Sequence, residues 1–229
     1  MKHRWVVFLF MAAVVIAAAV NAQAFIVINE VLADPPAGLA GDANNDGVGS
    51  TTQDEFIELY NNDASNVDVS GWSIKDAVQA RHIFALNSII PAKSFLVVFG
   101  GGAPNLPGVN WKLASTGTLS LNNTNETVGL YNQSNALIDQ IIYAGEGNHD
   151  QSLVRSPEGS GAFILHTAAT GANGKKYSPG TLADGSVPQV EAPVQAESSS
   201  VVPELPAWFY VGSILPYVFW RHRNSFQRS

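Results

Sequence analysis

The densest run of oxygen-bearing side chains in this sequence is Gly41-Asp42-Ala43-Asn44-Asn45-Asp46-Gly47. Asp42, Asn44 and Asp46 alternate and Gly47 follows, the order of positions 1, 3, 5 and 6 of a calcium loop. Alternation turns three ligating side chains toward one centre, and the glycine permits the sharp turn. Position 7 would offer the Val48 carbonyl, and position 9 is Ser50. Position 12 is Gln53 instead of the bidentate glutamate; Asp54 or Glu55 could substitute in a loop longer by one or two residues. With Glu55 closing the set, the expected ligands are Asp42, Asn44, Asp46, Val48, Ser50 and Glu55, and the expected ion is Ca2+. No amphipathic helix flanks the loop, which excludes an EF-hand. The competing reading is a surface loop held by local Asn and Asp hydrogen bonds.

Two further carboxylates stand out by register. Within Ile26–Leu32, period-two alternation puts Glu30 on the face of Ile26, Ile28 and Leu32, and within 55–60 it puts Glu58 with Phe56 and Tyr60. An inward carboxylate is costly unless it is hydrogen-bonded, paired or neutral. Such a pair either works as an acid/base or metal pair, or ties down backbone amides; the second reading is the expected one. Hydrolytic signatures are missing: there is no Gly-x-Ser-x-Gly, no His-Glu-x-x-His and no glycine loop opening a helix. Gly100-Gly101-Gly102 is followed by Pro104 and Pro107 and reads as a turn. His82, His149 and His166 are the histidines outside the two ends, with His149-Asp150 in a polar loop. No catalytic residue is assigned. The expected function is a non-catalytic, calcium-stabilised binding or structural module. The alternative is a metal-dependent, nuclease-like hydrolase assembled from Asp42, Asp46, Glu30 or Glu58.

The elements that must position these groups are strands. Apolar runs recur at Ile26–Leu32, 55–60, 72–74, 82–86, Phe95–Phe99, 118–121, 127–131, Leu137–Tyr143 and 163–166, separated by Asn-, Gly- and Pro-rich turns. The residues 128–131 and 137–142 form the clearest hairpin, with a loop of about five residues. Outside the two ends no window shows a 3.6-residue stripe. An all-β sandwich follows.

Several blocks in order carry a family resemblance: Ile28-Asn29-Glu30-Val31, then Asp54-Glu55-Phe56-Ile57-Glu58-Leu59-Tyr60-Asn61, then Val67-Asp68-Val69-Ser70-Gly71-Trp72-Ser73-Ile74. Ile90-Pro91-Ala92, Glu126-Thr127-Val128-Gly129-Leu130-Tyr131, Asp139 with Tyr143, Gln151-Ser152-Leu153-Val154-Arg155 and Ser178-Pro179-Gly180 continue it. From Phe25 to Thr181 the chain resembles a lamin-tail domain. The resemblance implies an immunoglobulin-like β-sandwich, mostly exported in bacteria, used as a binding or adhesion module and in some proteins joined to nuclease or other hydrolase domains.

The ends read differently from the domain. Residues 1–24 carry a charged start, an apolar run from Trp5 to Val20 and Ala22-Gln23-Ala24, the three parts of a signal peptide. A lamin-tail-like domain is expected over 25–182 and a Pro/Ala/Ser-rich linker over 183–204. A short apolar membrane segment is expected over 205–220, and a basic cytoplasmic tail over 221–229. As a helix, 205–220 would span roughly 24 Å, short for a hydrocarbon core of about 30 Å, though aromatic residues flank it as in a membrane belt. Val202-Pro203-Glu204, the apolar run and the terminal arginines resemble a PEP-CTERM sorting signal, with Leu205 where that family has a second proline. This implies processing by an exosortase-type enzyme. Ten of the nineteen acids lie between Glu30 and Asp76 with Lys75 the one basic residue there, which argues against a nucleic-acid partner. The chain has no cysteine, so disulfides and thiolate chemistry are excluded. The expected location is the cell surface or the outer face of the membrane in a bacterial envelope. The expected partners are the membrane, through the C-terminal segment, and a surface protein or polysaccharide.

Overall fold

A computed structural model describes residues 26–188. The stretches expected to be a signal peptide, a membrane segment and a basic tail, and most of the expected linker, lie outside these residues. Among the described residues no helix is long and apolar enough to cross a membrane.

Twelve strands form two facing sheets and a small ribbon. The six-stranded sheet contains β1 (Ile26–Leu32), β2 (Phe56–Asn61), β7 (Phe95–Phe99), β8 (Trp111–Leu113), β11 (Leu153–Ser156) and β12 (Ala162–Leu165), in the order β12-β11-β1-β2-β7-β8. The four-stranded sheet orders β10-β9-β4-β5, from β10 (Leu137–Tyr143), β9 (Glu126–Tyr131), β4 (Ser73–Lys75) and β5 (Ala80–Ile83). The ribbon pairs β3 (Val67–Asp68) with β6 (Ile89–Ile90). All pairs are antiparallel except β7 with β8. This is the expected immunoglobulin-like sandwich. The predicted hairpin is β9–β10, in which Tyr131 pairs with Leu137.

The main core lies between the sheets. Ile26, Ile28, Val31, Ile57, Leu59, Leu96 and Val98 face Ile74, Val128, Leu130 and Ile141 across it. β-Branched and leucine side chains at every second position build such a face. One stretch predicted as a strand, 118–121, is not one. Leu119 and Leu121 enter the core from an irregular segment, in which Ser120 takes a positive φ of 50° and the Leu121 N–H goes to a side chain. The sequence pattern also passed over β8, a short edge strand whose side chains are half-exposed or exposed.

A bulge in β1 sets the position of the acids. The pairing of β1 with β2 shifts between Ile28 and Glu30, so Asn29 is an extra residue. An extra residue moves everything after it to the opposite face. Glu30 therefore leaves the face of Ile26 and Ile28, contrary to the alternation expected from sequence, and joins Leu32 on the outer side of the sheet. There it is opposite Glu58, which shares its side with Phe56 and Tyr60 as expected. Leu32, Phe56, Val97 and Phe99 form one apolar cluster on this outer side, and Val27, Tyr60 and Phe95 another. The segment after β12 supplies Tyr177 to the first and Leu182 to the second. Ala183, expected to open the linker, is buried and belongs to this covering strap.

Candidate functional site

Glu30, Glu58 and Glu158 are anchored by the strap. Glu30 is fully buried and accepts from Ser152 Oγ at 2.6 Å, Ser178 N at 3.0 Å and Ser178 Oγ at 2.8 Å. Glu58, equally buried, accepts from Asn29 Nδ2 at 3.0 Å and Gly180 N at 2.6 Å. Glu158 accepts from Asn29 Nδ2 at 2.6 Å and Ala183 N at 2.8 Å. Three strap amides, at residues 178, 180 and 183, thus end on three carboxyls that the strap itself covers.

Burial pushes the Glu30 carboxyl up to about 7, against the pull of its serine hydrogen bonds. Burial and then the charge of Glu30 push Glu58 well above the usual carboxylate range. Glu158 is raised as well, mainly by burial. His166, fully buried, is lowered by desolvation. Its Nδ1 faces the Lys175 carbonyl at 2.8 Å and therefore carries a hydrogen, while Nε2 lies 2.9 Å from Ser178 Oγ. The Ser178 hydroxyl has one hydrogen and stands between His166 Nε2 and Glu30 Oε2. One extra proton, on Glu30 or on His166, satisfies all three groups. The trio has the residue types of a nucleophilic triad but not its connectivity. The acid sits on the serine, a carbonyl occupies the place of the orienting acid, and no member is open to a substrate.

The acidic loop is built differently. Asp42 Oδ1 accepts from Asp46 N at 3.0 Å and its Oδ2 from Gly47 N at 2.9 Å. Asn44 Oδ1 also accepts from Asp46 N, and Asp46 accepts from Val48 N and Ala103 N. Gly47 adopts φ +89°, the left-handed turn foreseen for it. The loop is closed at its base by Asp54, whose Oδ1 accepts from Asn44 N at 3.0 Å and whose Oδ2 accepts from Ser50 N at 2.7 Å. Asp54 is fully buried and raised, first by desolvation and also by the charges of Asp42 and Asp46.

The structure therefore brings Asp42, Asn44, Asp46 and Ser50 together, with Val48 in the same loop, and leaves Glu55 out. One step of alternation separates Asp54 from Glu55. Glu55 points the other way, accepts from Leu121 N at 3.3 Å, and is pushed up to about 8 by burial. Asp54 is the acid that sequence reasoning ranked level with it. The glycine run 100–102 was read as a plain turn and forms the loop's wall. Gly101 O accepts from Asn44 Nδ2 at 3.3 Å, and a Cβ on Gly102 would run into Asn44 and Asp46. His82 is buried with Nδ1 3.2 Å from Ser115 Oγ and is lowered to about 4 by desolvation, whereas His149 is exposed.

In donor chemistry the loop suits a hard cation: carboxylate, amide and carbonyl oxygens, with lone pairs left over after one amide hydrogen bond each. Among the described residues no three His, Asp or Glu side chains converge closely enough to hold a metal by themselves. Any ion here would therefore depend on the Asn44 and backbone oxygens as well.

The lamin tail domain family matches this chain over residues 19–145, from ahead of β1 to just past β10. β11, β12 and the strap that buries Glu30 and Glu58 lie beyond the match. No curated protein matches the chain. With more than half of its length matched and the sandwich in place, this chain belongs to the lamin tail domain family.

Proposed function

We propose that this chain is an exported, non-catalytic binding module of the bacterial cell envelope. In this reading its C-terminal segment holds it at the membrane or is processed by an exosortase-type enzyme, and its acidic loop takes up calcium for stability. The observation that carries the reading is how the carboxyls are used. Glu30, Glu58 and Glu158 end on strap amides and hydroxyls under cover, and Asp42, Asp46 and Asp54 end on loop amides. These are the bonds of a scaffold that presents a surface. The hydrolase alternative needs Glu30 or Glu58 at a substrate, and their complete burial weighs against it. Calcium is supported by the charges of Asp42 and Asp46, which add to the burial that raises Asp54 and which a cation would offset.

The test is a melting curve of the full chain in 5 mM calcium and in chelator, paired with recovery of crosslinked partners from the cell surface under both conditions. Calcium at about 100 times Kd stabilises by roughly 2.7 kcal/mol, a rise in melting temperature of several degrees. Asp42→Ala with Asp46→Ala should abolish that rise. An unchanged melting curve in the wild type removes calcium from the proposal. A turnover of phosphodiester or glycan substrates that disappears in Glu58→Gln at unchanged stability overturns the non-catalytic reading.

A further inference from the structure

Residues 178–186 of the strap form no strand against the sheet they cover. Their amides sort into two groups. Those of Thr181, Leu182, Gly185 and Ser186 donate to acceptors inside the strap itself. Those of Ser178, Gly180 and Ala183 donate to Glu30, Glu58 and Glu158. Among the described residues, every hydrogen bond that these amides send to the body of the domain therefore ends on a carboxyl. Packing adds Tyr177 against the cluster of Leu32, Phe56 and Phe99, and Leu182 against that of Val27, Tyr60 and Phe95. A segment held by so few backbone bonds can open as a local unit while the sheets stay formed.

The three carboxyls beneath it are crowded. Glu30 and Glu58 stand directly opposite one another on β1 and β2, both fully buried, and Glu158 shares the Asn29 amide with Glu58. Their donors are hydroxyls and amides, and among the described residues no Lys or Arg pairs with them. The other titratable groups nearby do not replace a cation. His166 Nε2 lies 4.0 Å from Glu30 Oε1 and is lowered by desolvation. Lys175 donates to the Asp184 carbonyl, Lys176 is exposed, Arg155 on β11 is paired with Asp139, and Asp184 holds Ser186 N. Tyr60 and Tyr177 are phenols raised by burial, the second also by Asp54 and Asp42. β7 brings Phe95, Val97 and Phe99 to this face. Facing carboxylates without a cation cannot all ionise in a closed space. The closed strap therefore keeps protons that the same carboxyls would give up in water. The raised values of Glu30, about 7, and of Glu58 agree with this.

We propose that the strap is a proton-operated latch: residues 178–186 open locally without unfolding of the sandwich, and rising pH favours the open form by freeing Glu30 and Glu58 to ionise. Opening bares Leu32, Phe56 and Phe99 on the outer side of the six-stranded sheet. Closing takes up protons and opening releases them. The closed form is therefore fully favoured below the ordinary carboxyl value of 4.5, and loses ground as pH rises through about 7 for Glu30 and higher for Glu58. His166 works the other way only below its ordinary 6.5. The test is hydrogen exchange of the full chain, read by mass spectrometry at pH 6.5 and 8 and divided by the intrinsic rate at each pH. Peptides spanning 178–186 should be about tenfold or more less protected than those spanning 95–99 in β7, the mark of a local opening. Strap protection should then fall about tenfold per pH unit for each proton released. Glu58→Gln, a neutral side chain of the same length, should flatten that fall. Glu55→Gln, which alters a buried acid away from the strap, should leave it unchanged. Strap protection equal to that of β7, a corrected strap protection flat from pH 6.5 to 8, or an undiminished fall in Glu58→Gln would overturn the latch. The first two are read on the unaltered chain, so the test stands even where Glu58→Gln fails to fold.

Discussion

The carboxyls under the strap and the carboxyls of the acidic loop are the same functional group put to opposite uses. Glu30 gathers donors from Ser152 and Ser178, which are 122 and 148 residues away in the chain, and no part of it meets solvent. Asp42 gathers donors from Asp46 and Gly47, four and five residues away, at an open turn. The first arrangement exists only when the whole sandwich and its strap are formed, so it reports tertiary structure. The second is assembled locally and faces the solution, so it can respond to a solute. Burial decides which acid is scaffold and which is available.

The largest effect should come from breaking the buried side. Glu30→Ala leaves the Ser178 amide without an acceptor and the two serine hydroxyls with only their second partners, the Lys176 carbonyl and His166 Nε2, beside a cavity in a closed space, at a cost of about 3–5 kcal/mol. Asp42→Ala in calcium-free buffer gives up two local turn bonds that water can replace, at about 1 kcal/mol. Urea unfolding of the two variants measures both. Equal losses would show that the strap is not held by these acids.

Next in size is pH. Below about 4.5 both folded and unfolded chains hold the carboxyl protons. Between 4.5 and about 7 for Glu30, or about 8 for Glu55, the folded chain keeps a proton that the unfolded chain has released. Rising pH therefore favours unfolding across that window by roughly 1.4 kcal/mol per unit per group. His82, lowered to about 4, opposes this only below its ordinary 6.5, where the unfolded chain takes up the proton first. Above pH 6.5 the carboxyls act alone, so the chain should melt at a lower temperature at pH 8 than at pH 6.5. Glu55→Gln should flatten the slope. A melting temperature that rises from pH 6.5 to 8 would mean these acids are ionised at little cost. In the acidic loop Asp54, raised first by burial, adds to the slope in the same direction.

How much of this was legible follows the same division. The sandwich was readable because alternation and turn chemistry are local, and β1, β7 and β10 fall where the pattern put them. The loop was readable for the same reason, from Asp42 through Ser50. Its closing acid was not. Asp54 and Glu55 are adjacent, and choosing between them needs the strand register that sends Phe56 outward and Ile57 inward. The face of Glu30 was misread because a bulge at Asn29 has no signature in a period-two pattern. Ser178-Pro179-Gly180 was visible as a motif, but no local signal links it to acids more than a hundred residues earlier.

The smallest effect tests whether the loop is as self-contained as its local bonds suggest. Gly102 sits in the turn after β7 at φ +81°, and a Cβ there would meet the side chains of Asn44 and Asp46. Ala103 N donates to Asp46 Oδ2 at 2.9 Å from the same turn. Gly102→Ala carries a backbone cost of about 1 kcal/mol from the left-handed conformation alone. If the loop depends on this wall, the substitution also displaces Asn44 and Asp46 and reduces the calcium-induced rise in melting temperature. Gly108, at φ +84° with open space around it, provides the control. Gly108→Ala should carry the backbone cost and leave the calcium response intact. Equal calcium responses in the two variants would show a loop that holds its shape from Asp42 to Asp54 without the turn. A response lost in Gly102→Ala alone would extend the proposed cation site across the sheet's end to residues more than fifty positions away, making it as tertiary as the acids beneath the strap.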